Sequence, residues 1–194
     1  MPLHGKLREN PPDLGQLPSS PHFPVIMKII SWNIKGLNGR SKQKFLRDLI
    51  LAEKPDIVLL QETKCTSKDV DRLLPYCWKQ GEAVSTMAIG TAGGLDILWN
   101  TNSVLLENFI ATRWSIIVDY RLIGSKKPGH LTNVYGPASL REKQAFLRNL
   151  NYLSNLTQHN RWIIGGDFNI IRSVEEKKAD QDDWIEKPVT SIAS

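Results

Sequence analysis

The chain has 194 residues, of which 41% are hydrophobic, and a formal net charge of +5 at pH 7. This length suits one globular domain with a single core, and the positive charge suits a polyanionic partner because lysine and arginine neutralise phosphates. No apolar stretch approaches the roughly 20 residues of a membrane-spanning helix, and no signal peptide is evident, which excludes a membrane protein and favours an intracellular location. Cys65 and Cys77 are too few for a disulfide framework or a zinc site.

The first 24 residues hold six prolines and show little apolar periodicity. Such a composition buries too little surface to offset chain entropy, so residues 1–24 are predicted to form a disordered leader. The folded domain is expected to span residues 25–176, and residues 177–194 are expected to form a divergent, disordered tail after a run of charged side chains.

Strands and helices alternate at the start of this domain. A β-rich run at 25–30 precedes a helix that Ser41 is expected to cap and that Pro55 ends. A strand follows at 56–61, and then a short helix that is expected to stop at Pro75.

The middle of the chain is rich in strands. Strand-like runs are predicted at 82–89, 94–99, 103–110, 114–122 and 130–135. Ser139 and Glu142 have the spacing of a capping box, which predicts a helix from there to about Leu156, and a strand follows at 161–166. This order lacks the glycine-rich turn of a Rossmann domain. It is compatible with two packed sheets that carry helices on their outer faces.

Polar side chains follow apolar runs at three points. Asn33 ends the first run, Glu62 follows the second, and Asp167 and Asn169 follow the third. Strand ends often carry functional sites, and hydrolysis of a phosphodiester needs a Lewis acid, an oriented water and donors for the developing charge. Mg²⁺ binds through one or two carboxylates, which makes Glu62 a candidate ligand. Taken alone, Glu62 could equally be exposed or pair with Lys64, and the other three could be ordinary turn residues.

The sequence resembles the endonuclease/exonuclease/phosphatase superfamily at five strings that occur in that family's order. They are KIISWNIKGLN, DIVLLQETK, GGLDILWN, NVYGPAS and WIIGGDFNIIRS, and the resemblance covers about Met27 to Glu176. NVYGPAS followed by a helix and GGDFN is most similar to the endonuclease domain of plant LINE-type (non-LTR) retrotransposons. The resemblance implies a four-layered α/β-sandwich, in which two packed mixed β-sheets are flanked by helices.

The resemblance also implies the roles of the site residues. Glu62 binds the metal, which is Mg²⁺ or alternatively Mn²⁺, and Asn33 contacts the metal or holds the Glu62 carboxylate; no small-molecule cofactor is needed. Asp167 orients the attacking water and helps to deprotonate it, while Asn169 contacts the metal-bound water or the scissile phosphate. Tyr135 donates to a phosphate oxygen or stacks on a sugar. The implied partner is DNA and the implied location is the nucleus; the oligomeric state stays open.

The sequence departs from the family pattern at two points. Lys35 stands where the abasic-site nucleases often have an acidic residue, which removes a potential metal ligand. The family's Ser-Asp-His string is absent, and His130 and His159 are expected to be surface histidines. We therefore expect a C-terminally truncated domain with an incomplete second sheet and with weak or no nuclease activity. A non-catalytic retrotransposon relic, a nucleic-acid-binding fragment, a phosphatase and an RNA nuclease remain as alternatives.

Overall fold

The structure is a computed structural model that describes residues 3–6, 26–86, 93–157, 161–170 and 189–193. Its strands are β1 (Leu3–Lys6), β2 (Met27–Asn33), β3 (Ile57–Gln61), β4 (Gly81–Thr86), β5 (Leu95–Asn100), β6 (Val104–Ala111), β7 (Ser115–Leu122), β8 (Pro128–Tyr135), β9 (Arg161–Asp167) and β10 (Val189–Ala193). Its helices are α1 (Arg40–Glu53), α2 (Ser67–Cys77) and α3 (Leu140–Leu156). None of these helices has the length and apolar character needed to cross a bilayer.

The described strands form two mixed sheets. Sheet I has the order β10-β2-β3-β5-β4, and sheet II has the order β1-β6-β7-β8-β9. Each sheet contains one parallel pair, β2 with β3 in sheet I and β8 with β9 in sheet II, and its other neighbours are antiparallel. The two parallel pairs matter most for function because their strands end at the candidate site.

The two sheets pack face to face through alternating apolar side chains. Ile57 and Leu59 of sheet I belong to the same fully buried cluster as Val118 and Leu131 of sheet II. Fully burying one such side chain contributes about 1.5–3 kcal/mol, so this layer contributes strongly to the stability of the fold. The core between the sheets therefore holds them face to face.

The helices cover the outer faces of the sheets. Leu46 of α1 and Val70 of α2 are buried in a second cluster with Leu60 of sheet I. On the other side, Ser115 of β7 donates to Asn149 of α3 at 3.1 Å, which places α3 against sheet II. The result is a helix–sheet–sheet–helix arrangement, and the predicted four-layered α/β-sandwich with two mixed sheets is confirmed.

The ends of the first two helices differ from the predicted ones. The N-cap of α1 is Gly39 and makes no side-chain bond, so the expected cap by Ser41 is wrong. Helix α2 starts at a capping box in which Thr66 and Asp69 bond each other's backbone N–H groups. It continues past Pro75 to Cys77, because a proline in the last turn removes one hydrogen bond while buried side chains around it hold that turn in place.

The third helix begins where the sequence predicts but without the predicted capping box. Ser139 is the N-cap of α3 and forms no side-chain cap bond. The carboxylate of Glu142 instead forms an ion pair with Arg113, which precedes β7. A charge partner outside the helix has therefore replaced the local hydrogen bond.

Two short edge strands lie in segments for which disorder was expected. Leu3–Lys6 pairs with β6 as β1, and Val189–Ala193 pairs with β2 as β10. Both β6 and β2 would otherwise be sheet edges, and an edge offers unpaired N–H and C=O groups to any extended backbone, whatever its side-chain pattern. The remaining residues of the expected leader and tail lie outside the described residues, and the boundaries at 25 and 176 stay predictions.

Candidate active site

The candidate site lies where the two parallel strand pairs end. In sheet I, Asn33 at the end of β2 is level with Gln61 at the end of β3, and Glu62 follows directly. In sheet II, Tyr135 at the end of β8 is level with Asp167 at the end of β9. Parallel neighbours finish at the same edge of a sheet, and face-to-face packing brings the two edges together. Each sheet therefore supplies two of the predicted side chains.

Hydrogen bonds join these four side chains into one cluster. The Asn33 carboxamide nitrogen donates to Glu62 Oε1 at 2.9 Å and to Asp167 Oδ2 at 2.8 Å. The Tyr135 hydroxyl donates to the same Glu62 oxygen at 2.9 Å. Asn33 thus connects the two carboxylates across the boundary between the sheets. The structure brings these four predicted residues together, while their catalytic and metal-binding roles stay predictions.

The fifth predicted residue, Asn169, holds the turn that follows β9. Its backbone N–H donates to Asp167 Oδ1 at 2.9 Å, and its side-chain nitrogen donates to the Gly136 carbonyl at 2.6 Å. One carboxylate oxygen of Asp167 is therefore held by Asn169 and the other by Asn33. The side-chain nitrogen of Asn169 already has a backbone partner, so in this structure the residue orients Asp167. Its predicted contact with phosphate stays a prediction.

Gly166, directly before Asp167, is at a position that only glycine can occupy. Its φ is +134°, and a Cβ at this position would lie 2.1 Å from the backbone oxygen of Val134 on β8. Both features require glycine, because other residues rarely adopt this φ and a Cβ would collide with the backbone. Strands β8 and β9 can therefore approach closely where Tyr135 and Asp167 leave the sheet.

The backbone around the cluster is unusually constrained. Four non-glycine residues in or beside it have left-handed φ values, namely Lys35 at 48°, Glu62 at 54°, Lys64 at 53° and Asn169 at 49°. Such conformations persist only where the surrounding structure enforces them, and they cluster at functional sites. Here backbone bonds from the segment after β2 to the Gln61 and Glu62 carbonyls hold the loop that carries the Glu62 side chain.

Tyr135 is a hydrogen-bond donor over the whole neutral range. Burial raises the pKa of its phenol to about 12, and the hydrogen bond and charge of Glu62 act in the same direction. A hydrogen bond from Asn169 has the opposite, smaller effect. The phenol therefore keeps its proton near pH 7 and offers it to a neighbouring oxygen.

The chemistry of the donors fits a hard cation such as Mg²⁺. Glu62 and Asp167 provide carboxylate oxygens, and the Asn33 side-chain oxygen, which accepts from the backbone N–H of Lys35 at 3.3 Å, adds an amide oxygen. Within the described part of the chain, no group of three or more His, Cys, Asp or Glu side chains could hold a metal. That finding argues against a zinc cage in these residues, whereas Mg²⁺ needs only one or two carboxylates and keeps several waters.

The structure corrects the prediction for His130. This residue lies in β8, its side chain is 15% exposed, and its Nδ1 is 2.8 Å from Asp119 on the neighbouring strand β7. It is therefore a largely buried, paired histidine rather than a surface one. Alternation along β8 places it on the face opposite to Leu131 and Tyr135, at the other end of the strand from the site. His159 lies outside the described residues.

Two buried amides next to the site were missed in the sequence. Asn133 and Gln61 are 0% and 1% exposed, and the Gln61 side-chain nitrogen donates to Asn133 Oδ1 at 2.7 Å. The available signal was a polar residue inside each apolar run, two positions before Tyr135 and one before Glu62. Buried amides need hydrogen-bond partners, so this pattern predicts a contact between strands that are distant in sequence.

Comparisons with known proteins show the family of this chain. The sequence model of the Endonuclease/Exonuclease/phosphatase family matches residues 30–177. The DNA repair nuclease APEX1 of Danio rerio is 45% identical over 62 residues, which are 32% of this chain and only 19% of that relative.

Solved structures are similar in fold. The human Nocturnin catalytic domain with bound sulfate has a TM-score of 0.59 at 18% identity, with 81% of this chain and 69% of that chain covered. Danio rerio TDP2 humanized by 14 mutations has a TM-score of 0.56 at 17% identity, with 79% and 66% covered. At these identities the likeness shows the fold alone. The family match, in contrast, covers more than half of the sequence, and the chain belongs to the Endonuclease/Exonuclease/phosphatase family.

Proposed function

We propose that this chain is a Mg²⁺-dependent phosphodiester hydrolase that acts on DNA and is related to the nicking endonucleases of LINE-type retrotransposons. One observation carries the proposal: a single amide, Asn33, hydrogen-bonds the two carboxylates that follow strands of different sheets. This contact aligns a candidate metal ligand, Glu62, with a candidate base, Asp167. A cluster of this kind, held by constrained backbone, suits electrostatic catalysis because it needs little reorganisation during reaction.

The residues divide the work as follows. Glu62 and Asn33 would hold Mg²⁺, which when bound polarises phosphate oxygens and acidifies water. Asp167, whose two oxygens accept from Asn33 and Asn169, is oriented to take a proton from the attacking water. Tyr135 remains protonated and can donate to a phosphate oxygen.

DNA is proposed as the substrate on two grounds. The net charge of +5 suits a polyanion, and the relative with 45% identity is named a DNA repair nuclease. The link to retrotransposons is supported by the order NVYGPAS, helix, GGDFN, which here corresponds to β8, α3 and β9. Nuclear residence is proposed with the substrate.

The test is nicking of supercoiled plasmid with protein in excess over DNA, because the sequence predicts weak activity. We expect nicked circles with Mg²⁺ or Mn²⁺, none with a chelator, and none with Glu62→Gln. A matched control is Glu107→Gln, since Glu107 is exposed on β6 and pairs with Arg121. Release of phosphate from a monoester without nicking would identify a phosphatase instead. Cleavage of RNA alone would identify an RNA nuclease, and inertness towards all three substrates would favour the non-catalytic alternative.

A further inference from the structure

Two amide side chains form a polar tie through the apolar layer between the sheets. Asn133 of β8 donates from its side-chain nitrogen to the carbonyls of Leu60 and Asp96, both at 2.9 Å, and accepts from Gln61 at 2.7 Å. Gln61 also donates to the Ser31 hydroxyl at 3.3 Å. One residue of sheet II is thus bonded to β3 and β5 of sheet I, and through Gln61 to β2.

This polar tie lies directly beneath the candidate site. Gln61 is the residue before Glu62 and is level with Asn33 on the neighbouring strand. Asn133 lies two residues before Tyr135, and side chains two apart on a strand project from the same face. Each amide therefore belongs to a strand whose end supplies a site residue. Between the same two sheets, the polar tie therefore lies next to the site, one step further from the strand ends.

The remaining contact between the sheets cannot by itself supply the accuracy that the site needs. Apolar packing is non-directional, whereas the two bonds that cross between the sheets, from Asn33 to Asp167 and from Tyr135 to Glu62, require donor and acceptor to meet within a few tenths of an ångström. A buried amide is different, because a small slip of one sheet leaves several polar groups unpaired at high cost. Hydrogen-bonded buried amides therefore favour one relative position of the two sheets.

We propose that Asn133 and Gln61 are positioning residues, which set the Tyr135–Asp167 half of the site against the Asn33–Glu62 half. The consequence for metal binding rests on the proposed function; the consequence for geometry does not. Neither amide touches the reacting groups. Both act through the strand ends that they hold in register.

The experiment compares Asn133→Ala and Gln61→Met with Leu106→Ala, a change of a core residue of β6 that lies between the sheets but outside the polar tie. All three variants are expected to lower the melting temperature. The first readout is metal-free: the ¹H–¹⁵N resonances of the Asn33 carboxamide, which report its bonds to Glu62 and Asp167. The second is the Mg²⁺ dissociation constant from calorimetry.

We expect Asn133→Ala and Gln61→Met to move the Asn33 carboxamide resonances and to weaken Mg²⁺ binding about 10-fold or more, as loss of a supporting residue typically does. Leu106→Ala should leave both readouts at wild-type values. The double variant should be no worse than the more severe single one, because both changes break the same tie. Where a single variant is too unstable for spectra, the other one carries the test.

The outcomes separate this inference from the proposed function. Unmoved Asn33 resonances in a folded variant would overturn the positioning role, whatever happens to Mg²⁺. Equal shifts in Leu106→Ala would also overturn it, because they would show a general response to destabilisation. A third outcome is that the wild-type chain binds no Mg²⁺ while the Asn33 resonances move in the two amide variants. This result would contradict the proposed function and support the positioning role.

Discussion

The carboxylate of Asp96 should make the protein less stable at neutral pH than at pH 4. Asp96 lies on β5, and burial raises its pKa from 3.8 to about 6, against the opposing effect of the Ser85 and Thr63 hydroxyls. Among the described residues, Asp96 Oδ2 and Thr63 Oγ1 are buried atoms without a hydrogen-bond partner. Asp96→Asn removes the ionisable group, and the new amide can donate to Thr63 Oγ1.

The sign of the effect follows from proton linkage. The pKa of Asp96 is higher in the folded chain than in the unfolded chain, so the folded chain binds this proton more tightly. The stability that results is present below about pH 4 and is lost as the pH rises through about 6. A difference of about 2 pKa units corresponds to about 3 kcal/mol. Asp96→Asn should therefore be more stable than wild type at pH 7.5 by up to about 3 kcal/mol, with little difference at pH 4.

Urea unfolding followed by tryptophan fluorescence at both pH values measures this difference. Asp48→Asn is the control, because Asp48 is an exposed carboxylate on α1 whose removal should give no comparable pH-dependent gain. The reasoning would be refuted if Asp96→Asn were less stable than wild type at pH 7.5, or if the stability difference were the same at both pH values.

Three further predictions concern the site itself. Gly166→Ala should lower the free energy of unfolding by at least about 3 kcal/mol. Gly124 also has a positive φ, +85°, but open space around it, so Gly124→Ala should cost only about 1 kcal/mol. Equal losses in urea unfolding would contradict the collision at Gly166. Tyr135→Phe should lower the nicking rate about 100-fold; an unchanged rate would show that the phenol is not a donor in the reaction. Asn33→Ala should weaken Mg²⁺ binding at least about tenfold, because the site loses the Asn33 oxygen and Glu62 loses its orienting partner; calorimetry showing wild-type affinity would refute both roles.

The sequence predicts those parts of the fold that depend on local pattern. Apolar runs mark the strands that end at Asn33 and Asp167 and the strand that Glu62 follows, and the family strings imply how those ends meet. Contacts set by register across strands leave no local trace. The pairing of His130 with Asp119 is of this kind, since the two are opposite each other on β7 and β8.

The edge strands and the polar tie were beyond reach for related reasons. Strands β1 and β10 pair through backbone groups, which every residue carries, so their side chains give no signal. For Asn133 and Gln61, the sequence shows a polar residue in an apolar run but not its partner, because 72 positions separate the two. Tertiary packing decides such contacts.

Calorimetric titration of Mg²⁺ into the wild-type chain, Glu62→Gln and Glu107→Gln decides whether Glu62 binds the metal. Glu62→Gln keeps the size of the side chain and its acceptor oxygen but removes the charge. We expect one Mg²⁺ site in the wild type, the same affinity in Glu107→Gln, and binding weakened at least about tenfold or lost in Glu62→Gln. Equal affinity in the wild type and Glu62→Gln, or no binding in the wild type, would contradict the assignment of Glu62 as the metal ligand.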